Sequence, residues 1–369
     1  MRVYFNDLVR LRSRSGISVY AEQLSQALRK QTSLDLIPFS TTVAARPLVY
    51  ATRYLRGKAS PGAMQARGFD WMDRYFSWVP LGLSKGIYHE PDAIPLHLNR
   101  PTVTTVHDLT VLLYPEWHPA YRVEKYERRM RDAIQRTDHF IAVSETTKRD
   151  IVRLLGVRDE KITVILEAPR FGIEASNDSD VITARKKFQL PRNYFICVGT
   201  LEPRKNIERL LDAFESLPKT IQSEYPLVLA GAWGWKSDSI SERLNRATYV
   251  KHIGCLCDPD LIALVTGATA LVYPSVYEGF GLPPLEAMAV GTPVITTNGG
   301  ALAETVGNAA VVVDPLDVEA MRSAMNQMVS DSEYRSQYRT RGLEHVRRFS
   351  WDEAARRTVE VYRDLDRSQ

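Results

Sequence analysis

A chain of 369 residues exceeds the size at which one hydrophobic core keeps growing, so two domains of roughly 150 to 200 residues each are expected. Its 44% apolar and 25% charged residues exclude a disordered chain, no apolar run approaches the roughly 18 to 20 residues of a membrane span, and three cysteines exclude a disulfide framework. The net charge of +4 is uneven, because residues 1–60 carry ten Lys or Arg against three acids, a net of +7 that leaves −3 for the rest. This basic portion suits an anionic partner such as membrane headgroups or a phosphorylated lipid, and nucleic acid is not expected, since no nucleic-acid motif accompanies the charge. The first residues, MRVYFND, read as a strand rather than a signal peptide, which with the cysteine usage points to a cytoplasmic location.

Arg2 to Asn6 forms that strand, a basic loop leads to Ser15-Gly16, and a helical pattern of Val19, Leu24, Ala27 and Leu28 precedes a second apolar run at Leu34 to Pro38. Strand, loop, helix, strand is a doubly wound α/β opening. Only Gly16 is present where a dinucleotide fold needs G-x-G-x-x-G, which disfavours a nicotinamide enzyme. From Thr41 to Pro80 the pattern gives way to aromatic and basic residues. On a helical wheel Arg46, Arg53 and Arg56 share one side, compatible with a helix on an anionic membrane surface; the shortness of this basic face favours a solvated helix packed on its own domain. Gly86 to His89 and Thr102 to Val106 are further strands, the second ending in His107-Asp108, where open parallel sheets bind ligands. His107 is therefore a candidate for a sugar hydroxyl or phosphate, and Asp108 for the cap of a turn. A strand at His139 to Val143, a cap at Ser144, a helix to about Leu155 and a strand at Lys161 to Leu166 complete an α/β domain over residues 1–173, followed by a polar linker over 174–190.

The second domain, 191–349, opens with a strand at Tyr194 to Val198, then Gly199-Thr200-Leu201-Glu202-Pro203-Arg204-Lys205-Asn206 and a helix with Ile207, Leu210, Leu211 and Phe214 on one face. Asn206 is a natural N-cap. Arg204 and Lys205 beside it lie where the helix dipole disfavours cations, a conflict that an anionic ligand would resolve, and the pair suits a pyrophosphate. Strands follow at Leu227 to Ala230, Tyr249 to Ile253, Ala270 to Tyr273, Thr292 to Thr296 and Val311 to Val313.

Ser275 to Gly291, SVYEGFGLPPLEAMAVG, is the densest stretch. A strand gives way to Glu278, then Gly279-Phe280-Gly281, then a helix opened by Pro283-Pro284 and carrying Glu286. Glycines at a helix start let backbone N–H groups approach an anion, so the loop suits phosphate, and the two carboxylates eight positions apart suit hydroxyls of a phosphorylated sugar. His252, Cys255 and Cys257 fit no standard zinc spacing, and the Asp-x-Asp matches at 178–180, 258–260 and 364–366 lack the strand-end setting of a metal site. The last residues are charged and helical, with a break near Ser350-Trp351-Asp352.

Taken together, VHDLTVLLYPE (106–116), AVSETTKRDI (142–151), VGTLEPRKNIERLL (198–211) and YEGFGLPPLEAMAVGTPVI (277–295) resemble the retaining glycosyltransferases of the GT-B fold, family 4, whose E-x7-E signature spans Glu278 to Glu286. The resemblance implies two Rossmann-like domains facing each other across a cleft, an N-terminal acceptor domain to which 350–369 returns, and a C-terminal nucleotide-sugar donor domain. It implies that Glu286 bonds ribose hydroxyls, that Glu278 contacts the donor sugar, and that Gly279, Phe280, Gly281 and Leu282 offer amides near the pyrophosphate or sugar. Arg204 and Lys205 would hold the diphosphate and stabilise it as it leaves, without a metal or cofactor. Gly16 would close over the donor phosphate, although Ser18 stands where the family often has a second glycine, and His107 would lie near the reacting sugar. Nothing carries over at Leu166-Glu167-Ala168-Pro169, where the family commonly has Asn-Gly.

TLEPRKN looks most like mannosyltransferases of surface-polysaccharide assembly. This implies transfer from GDP-mannose or a UDP-sugar to a lipid-linked or polysaccharide acceptor with an α-linkage, and peripheral contact with the inner face of the plasma membrane through the basic N-terminal portion. A nucleotide-sugar epimerase of GT-B fold and a noncatalytic nucleotide-sugar-binding scaffold are the alternative readings.

Overall fold

The computed structural model describes residues 1–11, 16–42, 45, 85–96, 98–170 and 176–367. It forms two compact units, Met1–Glu167 with Ser350–Gln369, and Ala168–Phe349. Arg46, Arg53 and Arg56 of the expected membrane-facing helix lie outside the described residues.

The first unit is built on β1 (Arg2–Phe5), β2 (Asp35–Pro38), β3 (Ile87–Glu90), β4 (Thr102–Val106), β5 (His139–Ala142) and β6 (Ile162–Val164), all parallel, in the order β2-β1-β3-β4-β5-β6. Chain order reverses between β1 and β3, and there Asn6 Nδ2 donates to the buried Glu90 Oε2 at 2.7 Å. Helix Gly16–Arg29 buries Tyr20, Ala21, Leu24 and Leu28, the i, i+1, i+4, i+8 stripe of an amphipathic helix, against Val3, Phe5, Ile87 and Val103. Helix Trp351–Arg367 completes the same core with Ala355, Val359 and Tyr362. The Tyr362 hydroxyl lies 2.5 Å from Nδ1 of the fully buried His89, whose Nε2 lies 2.9 Å from Thr105 Oγ1.

In the second unit β7 (Phe195–Val198), β8 (Leu227–Ala230), β9 (Val250–His252), β10 (Ala270–Tyr273), β11 (Val294–Thr297) and β12 (Val311–Val313) form a parallel sheet ordered β12-β11-β10-β7-β8-β9. Its strands are near-continuous apolar runs because helices cover both faces. The chain leaves β7 toward β8 and β9, then returns to pair β10 on the other side of β7, so the reversal of strand order falls between β7 and β10. These are two doubly wound sheets of the GT-B type.

Part of the expected linker, 174–190, is ordered differently. Asp178–Lys187 is a helix, opened by Asn177 Oδ1 accepting from Asp180 N at 2.9 Å and burying Ala184. Asp178-Ser179-Asp180 reads as polar linker, but the same residues form the capped first turn of a helix, where carboxylates complement the helix dipole. Helices Ser332–Val346 and Trp351–Arg367 are separate, broken around Phe349-Ser350.

Candidate active site

The reversal between β7 and β10 brings together the loops that follow those two strands at their carboxyl ends, where open α/β sheets bind ligands. The loops are stitched to one another. Val276 N donates to Arg204 O at 2.9 Å, and Asn206 Nδ2 donates to Pro274 O at 3.0 Å and to Pro315 O at 2.7 Å. Asn206 was expected to cap helix Ile207–Glu215 with its side chain; it occupies the N-cap position at φ 58° with no side-chain cap, its Nδ2 making this stitching while its Oδ1 accepts from Arg209 Nη1 at 3.0 Å.

Arg204 and Lys205 close a short 3-10 turn, Pro203–Lys205, and both converge on Glu278. Lys205 Nζ donates to Glu278 Oε1 at 2.6 Å and to the Tyr273 hydroxyl, which in turn donates to Glu278 Oε1 at 3.0 Å. Arg204 donates through Nη1 to Glu278 Oε2 and through Nε and Nη2 to Glu202 Oε1 at 3.1 and 2.8 Å. Lys205, Glu202 and Glu278 are all buried. The conflict between two cations and a helix start, which an anionic ligand was expected to resolve, is answered inside the protein by two carboxylates. Burial opposes ionisation of Glu278, but Arg204 and Lys205 outweigh it and hold its pKa down at about 2. Burial likewise lowers the Lys205 ammonium, partly offset by Glu278. The result is a charge-balanced group of preorganised cations.

The backbone is shaped to allow this. Gly199, at φ 144°, would place a Cβ 3.3 Å from Lys205 Cε. Glu278 forms an isolated bridge with Gly300, and Ala301 N donates to Glu278 O at 2.8 Å. Gly300 sits at φ 63°, and a Cβ there would lie 2.2 Å from Glu278 O. Gly281, at φ 114°, opens helix Leu282–Ala289, with Phe280 O accepting from Thr305 Oγ1 at 2.7 Å and the Phe280 ring edge-on to Phe349. Gly279 to Leu282 thus place a tight turn and a helix start beside Glu278.

Glu286 lies inside that helix, buried, eight residues beyond Glu278. Arg170 grips it bidentately, Nε to Oε1 at 2.7 Å and Nη2 to Oε2 at 3.0 Å, and its Nη1 reaches Asp258 Oδ1 at 3.1 Å. Sequence reasoning missed Arg170, Glu202, Tyr273 and Gly300. The Gly299-Gly300 pair, whose composition marks a tight loop, was the one available signal, whereas an isolated arginine in Ala-Pro-Arg carries none.

In the first unit His107 is bonded at both ring nitrogens, Nδ1 to Glu167 Oε1 at 2.8 Å and Nε2 to Pro91 O at 2.9 Å. The Pro91 carbonyl requires an N–H at Nε2. Burial lowers the His107 pKa, but the buried Glu167 carboxylate overrides it and raises the net value. Glu167 was not singled out from the sequence, since its stretch matched no motif. Asp108 Oδ1 accepts from Thr110 N at 3.0 Å and so caps a turn. Gly16 begins helix Gly16–Arg29, exposed, and a Cβ added there would meet no described atom within 4 Å. His252 Nε2 is bonded to Gly231 O at 2.8 Å, and among the described residues no group of three or more His, Cys, Asp or Glu is placed to hold a metal. No helix among them is long and apolar enough to cross a membrane.

Comparison with known proteins agrees with this geometry. Residues 178–345 match the family model of glycosyl transferases group 1, and residues 14–167 match that of glycosyltransferase family 4. The chain is 34% identical to the O-antigen chain mannosyltransferase B of Escherichia coli over 293 residues, 78% of this chain and 77% of that one. It is 29% identical to the serotype-specific mannosyltransferase WbdA of E. coli over 276 residues, 72% of this chain but only 33% of that longer one. Its fold superposes on sucrose-phosphate synthase from Thermosynechococcus elongatus with a TM-score of 0.70 at 20% identity, covering 100% of this chain and 99% of that one. Two matched family models, one on each unit, and a relative of comparable length make the chain a member of glycosyltransferase family 4, the retaining hexosyltransferases of GT-B fold.

Proposed function

We propose that the protein transfers mannose from GDP-mannose, with retention, to a hydroxyl of a lipid-linked or polysaccharide acceptor on the cytoplasmic side of the membrane. The observation that carries this reading is the convergence of Arg204 and Lys205 on Glu278 at the carboxyl ends of β7 and β10. Among the described residues Lys205 spends two of its three N–H donors on Tyr273 and Glu278, which leaves one for an oxygen of the departing diphosphate. Preorganised donors of this kind act without reorganisation as charge develops. In the step proposed, the bond from the anomeric carbon to the diphosphate oxygen breaks and the bond to the acceptor oxygen forms on the same face. The acceptor proton passes to the departing phosphate. Arg170 fixes the orientation in which Glu286 meets the ribose hydroxyls. The name of the E. coli relative supports mannose as the sugar.

A thermal-shift panel of GDP, UDP, ADP and their sugar conjugates tests the donor, because ligand bound to the folded state raises its apparent stability. GDP and GDP-mannose are expected to raise Tm without added metal, and both Glu286→Ala and Arg170→Ala to diminish the shift. A response to UDP alone would replace mannose with a UDP-sugar, and no response to any nucleoside diphosphate would overturn the reading.

A further inference from the structure

The second unit carries a cavity of about 760 Å3 at the end of the sheet opposite the donor loops. Arg192 and Asn193 precede β7, Thr269 precedes β10 and Pro293 precedes β11, so its floor is the amino edge of strands whose carboxyl ends carry Lys205 and Glu278. Helix Leu282–Ala289 separates the two places by its length, about 12 Å at 1.5 Å per residue, with Gly281 at one end and Gly291, a lining residue, just past the other.

The walls are helices Asp178–Lys187 and Ser332–Val346, which bring Arg185, Arg335 and Arg339 to the cavity, and Arg192 before β7 adds a fourth arginine against a single lining aspartate, Asp178. Arg335 is engaged through Nη1 with the carbonyls of Met328 and Val329. Among the described residues Arg192 and Arg339 have neither a carboxylate nor a hydrogen-bond partner, and Arg339 lies against Gly291, its Nε 3.2 Å from where a Cβ would be. Arg185 Nε is buried with no hydrogen-bond partner among the described residues. Convergent like charges without carboxylate partners repel, so the arrangement is explained by an anion held among them. Guanidinium groups suit phosphate oxygens in particular, and the volume is that of small-molecule sites, about 300–1,000 Å3.

We infer that this cavity binds a soluble phosphate- or diphosphate-bearing small molecule at a site separate from the donor site. The test is isothermal titration of the full chain with inorganic pyrophosphate. A class of sites that weakens about tenfold or more in Arg192→Gln/Arg339→Gln, two residues with no described partner to lose, is expected. Ile182→Trp, which narrows the cavity while keeping every arginine, should weaken the same class, and rising salt should weaken it further. Because the class is defined by these variants and not by Lys205 or Glu278, it survives even if the donor reading fails. Pyrophosphate binding untouched by either variant would overturn the inference. So would binding confined to phosphatidylcholine vesicles containing phosphatidylglycerol, with none to pyrophosphate in solution.

Discussion

Lys205 is a buried cation whose charge is kept chiefly by one carboxylate. Burial lowers its pKa, and Glu278 is the largest influence in the opposite direction. Glu278→Gln removes that influence while leaving a side chain of the same shape that still accepts from Lys205. Lys205 then loses its proton more readily, so the alkaline limb of the activity profile moves to lower pH. Acid-side activity falls less than activity at high pH. Measuring kcat/KM against pH for both forms checks this; an unmoved alkaline limb would show that Lys205 is not the group whose deprotonation ends activity. The substitution also removes the counter-charge of a buried pair, a change that commonly costs about 3–5 kcal/mol, so Tm should fall as well.

At the scale of elements, the donor loops depend on glycines of two different kinds. Gly300 is required by the backbone: its φ of 63° and the 2.2 Å approach to Glu278 O mean that Gly300→Ala strains the turn and displaces the carbonyl that anchors the E-x7-E loop. Gly16, expected from the resemblance to close over the donor phosphate, meets no described atom within 4 Å of an added Cβ at its exposed helix start. Gly16→Ala should therefore leave Tm within about 2 °C of the parent, an effect of roughly 0.5 kcal/mol, whereas Gly300→Ala lowers both Tm and activity. If Gly16→Ala abolishes turnover at unchanged Tm, its role is in ligand contact; if turnover is also unchanged, the role carried over from the resemblance fails. The contrast also explains what was legible in the sequence. All twelve described strands announced themselves, the central ones such as Leu227 to Ala230 because strands buried on both faces are unbroken apolar runs, the others as short β-branched or apolar segments between turn residues. The helix at Asp178–Lys187 did not, since it buries only Ala184 and has no apolar stripe to read. Glu278, Glu286, Arg204 and Lys205 were legible from their setting beside glycines and helix starts. Their mutual pairing was not, because it depends on β10 returning to lie beside β7, a long-range fact that no local spacing encodes.

For the molecule as a whole, His89 and His107 of the first unit act in opposite directions on stability against pH. His89 is held between Tyr362 and Thr105, so it ties the C-terminal helix to the sheet, and burial lowers its pKa to about 3. Between its unperturbed value of about 6.5 and about 3 the unfolded chain binds a proton that the folded unit refuses, so the stability that neutral His89 contributes is lost as pH falls, by about 1.4 kcal/mol per unit. In the second unit Glu278 gives a separate acid loss below about 4.5, because its folded pKa of about 2 lies under the unfolded one. His107 has the opposite sign. Its raised pKa means the His107–Glu167 pair is fully stabilising below about 6.5 and loses that contribution as pH rises through the folded value. Stability of the first unit should therefore peak near pH 6.5 and decline on both sides, with the two limbs set by different residues. Hydrogen exchange followed on peptides covering β3 and Trp351–Arg367 reports it locally. His89→Gln should make the limb between pH 6 and pH 4.5 shallower, leaving the part that His139 contributes through its own burial-lowered pKa, and keep the alkaline limb in place, while Glu167→Gln should flatten the alkaline limb alone. Equal effects of both substitutions on both limbs would mean that the pH response belongs to the net charge of the chain and not to these two sites.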